Sequence, residues 1–264
     1  MKKIIKISIW VLLAIGLVVG LIFSGIFHQN RICKSVEINI DYLGADPFFT
    51  INDINTFLIQ KNDSIKGQKI SEINVSLIEN IIKENPYILD ANVFISMDGI
   101  LKINITQRKP IVRIINKLNN HFYIDNFGVK MPINTKYPAN VVIASGNIAA
   151  SYSLFSPESL NQRNDTLNLK KDTILQNIFK VASYISKNTF FKAQIEQIFI
   201  NESLEIELIP KLGEQIIIFG NADNIEEKFN KLLILYKEAF NKLGWDKYKI
   251  INLNYENQVV CTKK

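Results

Sequence analysis

Pro86 constrains the chain more than any other single residue. Its ring fixes φ and removes a donor, and it bars helical geometry from Asn85 before it, so the apolar run upstream has to stop there. That run carries Leu77, Ile78, Ile81 and Ile82 at helical spacing, with Asn74 or Ser76 as its cap and Glu79 completing Ser-x-x-Glu. Beyond Pro86, Ala91, Val93 and Ile95 alternate as one strand, and Ile100 (or Leu101), Ile103 and Ile105 as another. Asp98-Gly99 between them predicts a tight type I′ hairpin turn, whose two central residues both need positive φ. Lys109-Pro110 ends the second strand. Helix, proline, strand, turn, strand is the unit to which the rest of the chain attaches.

The N-terminus sets the compartment. Between Lys6 and His28 lie 21 uncharged residues, 14 of them Ile, Leu, Val or Phe. That is about the length a membrane-spanning helix needs. At about −0.3 to −0.6 kcal/mol each near a helix centre, those 14 side chains favour insertion by roughly 4–8 kcal/mol. Residues 7–27 are therefore read as a transmembrane helix, and residues 1–6, with Lys2, Lys3 and Lys6, as a cytoplasmic tail by the positive-inside rule. A cleaved signal peptide is the competing reading, with Ser24-Gly25 as a weak cleavage site, but the apolar run exceeds a signal's core. Those three lysines leave 28 of the 31 Lys+Arg against 25 Asp+Glu in the remainder, which is close to balanced. The formal charge of +6 is thus no nucleic-acid footprint. Cys33 and Cys261 stand near opposite ends and are read as two unpaired thiols.

Residues 34–84 open a compact module. Val36 to Ile40 alternates as a strand, and Thr50 to Asp53 caps a helix carrying Ile54, Phe57 and Leu58. A break at Gly67 precedes the helix from about Val75 to Glu84. With the hairpin, the order becomes β-α-α-β-β over residues 34–110.

This order, behind one N-terminal anchor, resembles a POTRA domain. The run Pro86, Tyr87, Ile88, Ala91-Asn92-Val93, then Leu101-Lys102-Ile103-Asn104-Ile105, then Gln107-Arg108-Lys109-Pro110 resembles the bacterial cell-division family FtsQ/DivIB. Gln107 stands where an acidic residue is common in that family, and Tyr87 where Trp is. Farther on, Tyr123-Ile124-Asp125-Asn126-Phe127-Gly128 is similar to the turn opening the family's second domain. Val141-Val142-Ile143 with Gly146 resembles that domain's next apolar strand and glycine. Phe219-Gly220 before a helix containing Lys228 resembles its Leu-Gly and basic helix.

Residues 111–264 are read as a β-domain, with Asn119-Asn120 as its first turn and the Ser/Asn-rich residues 145–172 as a long loop. Ile174, Ile178, Val181, Ala182 and Ile185 mark a helix. Three strands follow: Gln194 to Ile200, Leu204 to Ile209 and Gln215 to Phe219. In the middle one Leu204, Ile206 and Leu208 face one way and Glu205 and Glu207 the other. A helix over 223–242, capped by Asp223-x-x-Glu226, presents Ile225, Phe229, Leu232, Leu233, Tyr236 and Phe240. The chain closes with an edge strand from Tyr248 to Cys261, where Ile251, Leu253 and Tyr255 alternate with Asn252 and Asn254, followed by Val259 and Val260. An open edge exposes N–H and C=O groups that recruit another strand, so these seven residues are the expected partner-binding set. For Tyr255, simple packing on the sheet is an equal alternative.

The expected fold class is α+β: an N-terminal transmembrane helix, a POTRA domain, then a mixed or antiparallel sheet with packing helices. The resemblance implies a non-enzymatic scaffold of the bacterial divisome. It would be single-pass in the inner membrane, periplasmic in bulk and located at the septum. FtsB- and FtsL-like coiled-coil proteins would be its partners, linking septum formation to peptidoglycan synthesis. In the C-terminal pattern Asn252 and Asn254 replace the family's charged residues, so strand addition rather than ion pairing is the expected contact. No cofactor, metal, nucleic acid or small-molecule substrate is expected. A tethered cell-wall hydrolase or transferase is the alternative from another class. It needs clustered carboxylates or a His beside Cys or Ser, and the two histidines, His28 and His121, offer no such set. An outer-membrane assembly component would instead call for a β-barrel or a cleaved signal.

Overall fold

The computed structural model describes residues 10–20, 31–61, 65–152, 173–240, 244 and 247–264. Residues 10–20 are helical (α1), and the rest of the apolar run 7–27, like the tail 1–6, lies outside the described residues. Among the described residues no helix is long and apolar enough to cross a membrane. From residue 31 onward the chain is α+β and divides into two compact units.

The first unit comprises residues up to Tyr42 and Phe49–Gln107. Strand β1 (Ser35–Asp41) runs parallel to β3 (Ile100–Gln107), which pairs antiparallel with β2 (Ile88–Ile95), giving the order β1-β3-β2. Parallel neighbours require a crossover, and the helices α2 (Ile51–Lys61) and α3 (Val75–Lys83) lie in it. Both helices start where their caps say they should. The Thr50 backbone N–H donates to Asp53 Oδ2 (2.8 Å) and Thr50 Oγ1 accepts from Asp53 N (3.3 Å), a reciprocal box. Asn74 Oδ1 accepts from Leu77 N (3.0 Å), which resolves the choice between Asn74 and Ser76. Glu79 does not close that box. Its carboxylate pairs with Lys83 (2.7 Å), whose hydrogen bond lowers the Glu79 pKa. Leu101, Ile103 and Ile105 form the buried face of β3, so Leu101 rather than Ile100 starts it.

The hairpin is tight but is not type I′. Gly99 has φ 80° while Asp98 stays negative, and Ser96 N donates to Ile100 O (2.9 Å) and Gly99 N to Ser96 O (3.0 Å). The loop is thus three residues, 97–99, with glycine alone in the left-handed position. One non-glycine residue at positive φ is avoided.

The second unit comprises Leu43–Phe48 and Arg108–Lys264. Its nine strands are β4 (Pro110–Ile115), β5 (His121–Asp125), β6 (Lys130–Pro132), β7 (Val142–Gly146), β8 (Ile195–Ile200), β9 (Ile206–Pro210), β10 (Ile216–Gly220), β11 (Tyr248–Asn252) and β12 (Val260–Lys263). They form one mixed sheet in the order β12-β11-β10-β9-β8-β7-β4-β5-β6. Two of its parallel pairs, β7–β8 and β10–β11, need helical crossovers. Helices α4 (Thr173–Lys187) and α5 (Thr189–Gln194) serve the first and α6 (Ile225–Ile234) the second. Their apolar faces, Leu175, Ile178, Val181, Ala182 and Ile185 on α4 and Phe229 and Leu232 on α6, share one core with the sheet.

Several local expectations change. Helix α5 is new, started by Asn188, whose Oδ1 accepts from Phe190 N and Phe191 N. Leu204 is no strand residue. It sits at φ 63° in the turn before β9, leaving Ile206 and Leu208 as the buried pair. The Asp223–Glu226 box does not form; Asn224, in left-handed geometry (φ 49°), precedes α6 without a side-chain cap. Beyond Ile234 the helix widens into a π-helical segment, Leu235–Phe240, which seats Tyr236 and Phe240 in the core. The expected loop 145–172 is shorter at its start, because Ser145 and Gly146 complete β7 and Ile148 is buried. Residues 153–172 lie outside the described residues.

Candidate partner-binding edge

The nine-stranded sheet ends in β6 on one side and β12 on the other. Strand β6 has three residues and finishes in Pro132, a common way to blunt an edge. Strand β12 is also short, four residues ending in Lys263, but has no proline. It pairs antiparallel with β11 through Asn252↔Val260, Ile251↔Cys261 and Ile250↔Thr262. Lys264 N donates to Lys247 O (3.2 Å), so the alternation of an antiparallel pair turns the backbone N–H and C=O of Lys263 and Cys261 toward the open side.

The seven residues expected to bind a partner converge here, but they divide by burial. Ile251 and Leu253 are fully buried core residues, and β11, held between β10 and β12, has no free edge. Asn252 is half-buried, and its Oδ1 accepts from Asn254 N (3.0 Å), a local turn. Val259 packs partly buried against the core. Asn254, Tyr255 (47% exposed) and Val260 (42% exposed) remain accessible. The single strand expected from Tyr248 to Cys261 is therefore two strands around a turn at 253–259. Asn257, at φ 56°, makes that turn, since asparagine tolerates left-handed geometry better than most residues. Sequence reasoning missed Thr262 and Lys263 as edge residues. The signal available was Glu256-Asn257 in the middle of the run.

Helix α6 fastens this end of the sheet. Lys231 Nζ donates to Tyr255 O (2.7 Å) and Leu253 O (3.3 Å), fixing the turn that carries Tyr255. Lys228 is buried and donates to Phe219 O (2.9 Å), Asn221 O (3.0 Å) and Asn221 Oδ1 (2.9 Å). Those three acceptors match the three N–H bonds of an ammonium. Its Nζ also lies 5.1 Å from the Phe219 ring centroid. Burial lowers the Lys228 pKa, opposed by the nearby Asp223 carboxylate. Lys228→Met keeps the stem and removes the ammonium, taking this donor away from the buried Phe219 carbonyl. It is expected to destabilise the domain by about 1–3 kcal/mol in denaturant unfolding. Burial likewise raises the Cys261 thiol pKa, which lowers the thiolate fraction of that edge cysteine. Cys33 is buried, and both cysteines are free.

Residues 109–262 match the family described as FtsQ/DivIB, C-terminal related, and residues 31–106 match a POTRA-like domain. The first match alone spans more than half of the 264 residues. The chain belongs to the FtsQ/DivIB family. That is a family of non-catalytic scaffolds of cell division, and both of its domains are present in order. No curated protein matches the chain. Among the described residues no group of three or more His, Cys, Asp or Glu could hold a metal ion.

Proposed function

We propose that this chain is a single-pass, non-enzymatic scaffold of the bacterial divisome. Residues 7–27 anchor it in the inner membrane with residues 1–6 in the cytoplasm, and both folded units work in the periplasm at the septum. Small single-pass coiled-coil proteins of the FtsB and FtsL kind dock by adding a strand to β12, connecting septum formation to peptidoglycan synthesis. The observation that carries this reading is the open edge at β12, on a hairpin whose turn α6 ties down through Lys231. An edge already shaped and held loses little conformational entropy when a second strand pairs with it. Family membership supplies the division context.

Crosslinked affinity purification from membranes tests it, comparing wild type with Lys263→Pro and Tyr255→Lys. Proline at 263 removes an outward N–H without touching the β11 pairing, a placement that edge strands accept. Recovery of the coiled-coil partners is expected to fall about tenfold in Lys263→Pro, equivalent to roughly 1.4 kcal/mol of pairing. Equal recovery from both variants moves the site elsewhere, with the open edge of β1 the next to examine. A wild type that recovers no such protein ends the scaffold reading.

A further inference from the structure

We infer that one end of the POTRA-like unit rests on the membrane surface and binds anionic phospholipid headgroups. The inference builds on residues 7–27 being the membrane anchor. Three segments are stitched together at that end. Arg31 Nη1 donates to Met97 O (2.9 Å), Lys34 N to Gly99 O (2.9 Å), Cys33 N to Gln68 O (2.8 Å) and Ile70 N to Arg31 O (2.8 Å). The sheet explains the gathering. β1 and β3 run parallel and both begin here, while β2, antiparallel to β3, ends here. The hairpin tip and the chain entering β1 therefore share one end.

Its surface has the composition of an interfacial patch. Met97 at the tip is 84% exposed and Ile32 beside it is 55% exposed, neither covered within the unit. Around them stand the exposed cations Arg31, Lys34, Lys66 and Lys69. Among the described residues at this tip the acids are Asp98 and Glu72, the latter 3.7 Å from Lys69, so four positive charges there face two negative ones; Glu37, farther along β1, is paired with Lys102 (3.7 Å). Apolar side chains ringed by Lys and Arg suit the headgroup region, where basic residues are attracted to an anionic surface.

Chain length names the occupant. From Phe27, the last residue of the apolar run, to Arg31 is four residues, which fully extended span about 14 Å. If residues 7–27 cross the bilayer, the hydrogen bonds above hold Met97 and Lys69 to a segment that cannot leave the headgroup layer by more than roughly that distance. No soluble partner of ordinary domain size fits in such a gap. The lipid surface does.

The test uses the full chain reconstituted into vesicles, with a polarity-sensitive fluorophore on Met97→Cys in a Cys261→Ser background, where the remaining Cys33 is buried. Glu84→Cys, at the far end of β2 and about 26 Å along the sheet, is the control position. Spin-labelled lipid placed at headgroup depth is the quencher. In bilayers containing phosphatidylglycerol, quenching at 97 is expected to be several-fold stronger than at 84. It should weaken with added salt, and in Lys66→Glu/Lys69→Glu, because the attraction is screened within a Debye length. Equal quenching at 97 and 84 overturns the inference while leaving the anchor intact. Quenching at 97 that is the same in phosphatidylcholine alone and in the charge-reversed chain overturns the headgroup recognition. A chain that fails to float with the vesicles overturns the anchor, and the inference with it.

Discussion

Asp125→Ala is expected to destabilise the second unit by about 3–5 kcal/mol, the cost typical of removing one partner of a buried ion pair. Asp125 is fully buried, and its Oδ2 lies 2.8 Å from Arg108 Nη1. Its Oδ1 accepts from Phe127 N (2.9 Å) and Val129 N (2.8 Å), and so holds the β5–β6 turn. Alanine leaves a nearly buried guanidinium without its counter-charge and takes the shared acceptor away from two backbone donors. For a unit of this size the loss corresponds to roughly 6–20 °C in Tm. Asp125→Asn separates the two contributions. It keeps an oxygen for the turn and removes the charge, so it should lie between wild type and alanine. If thermal unfolding of Asp125→Ala falls within about 1 °C of wild type, the pair contributes nothing net to the fold.

Asp125 also marks where the sequence stops being legible. Its turn role follows from local chemistry, because an aspartate before Asn-Phe-Gly satisfies donors two and four residues on, as observed. Its ion pair with Arg108, 17 residues away, depends on β4 and β5 lying side by side, which no local pattern states. The same division runs through the molecule. Pro86, the period-2 runs of β2 and β3 and the apolar stripe of α4 are readable, because burial imposes a period on each. Leu204 and Asp223 mislead because each fits a local rule that a tertiary demand overrides. The left-handed turn at Leu204 precedes β9, and left-handed Asn224 leads into α6, whose Lys228 is bonded to Phe219 O. At the C-terminal edge of the sheet, alternation carries straight through Asn257 and so suggests one strand where a hairpin exists. The position of the edge survives that error, since both readings end the sheet at the C-terminus. The accessible residues do not: Ile251 and Leu253 go to the core, and Thr262 and Lys263 to the edge.

Gly146→Ala is expected to cost roughly 3 kcal/mol or more, a large effect for a single methyl group. Gly146 closes β7 at φ 98°, a conformation that residues with a Cβ avoid. It lies opposite Ile200 of β8, and an added Cβ would meet the Ile200 carbonyl oxygen and nitrogen well inside van der Waals contact. Those atoms are backbone, so the clash cannot be relieved by a rotamer change. The same carbonyl accepts from Asn147 N (2.8 Å), and Ile148 behind it is buried in the core. The alanine variant must therefore either open the β7–β8 pairing or draw Ile148 out. Amide hydrogen exchange distinguishes the two, because the first exposes amides of β8 and the second those after Gly146. A Gly146→Ala chain with wild-type unfolding and wild-type exchange would show that the two strands approach each other less closely than this contact requires. The resemblance to the division family points at this glycine as a motif residue, and its role is steric: it lets two parallel strands of the central sheet come together where the chain turns away.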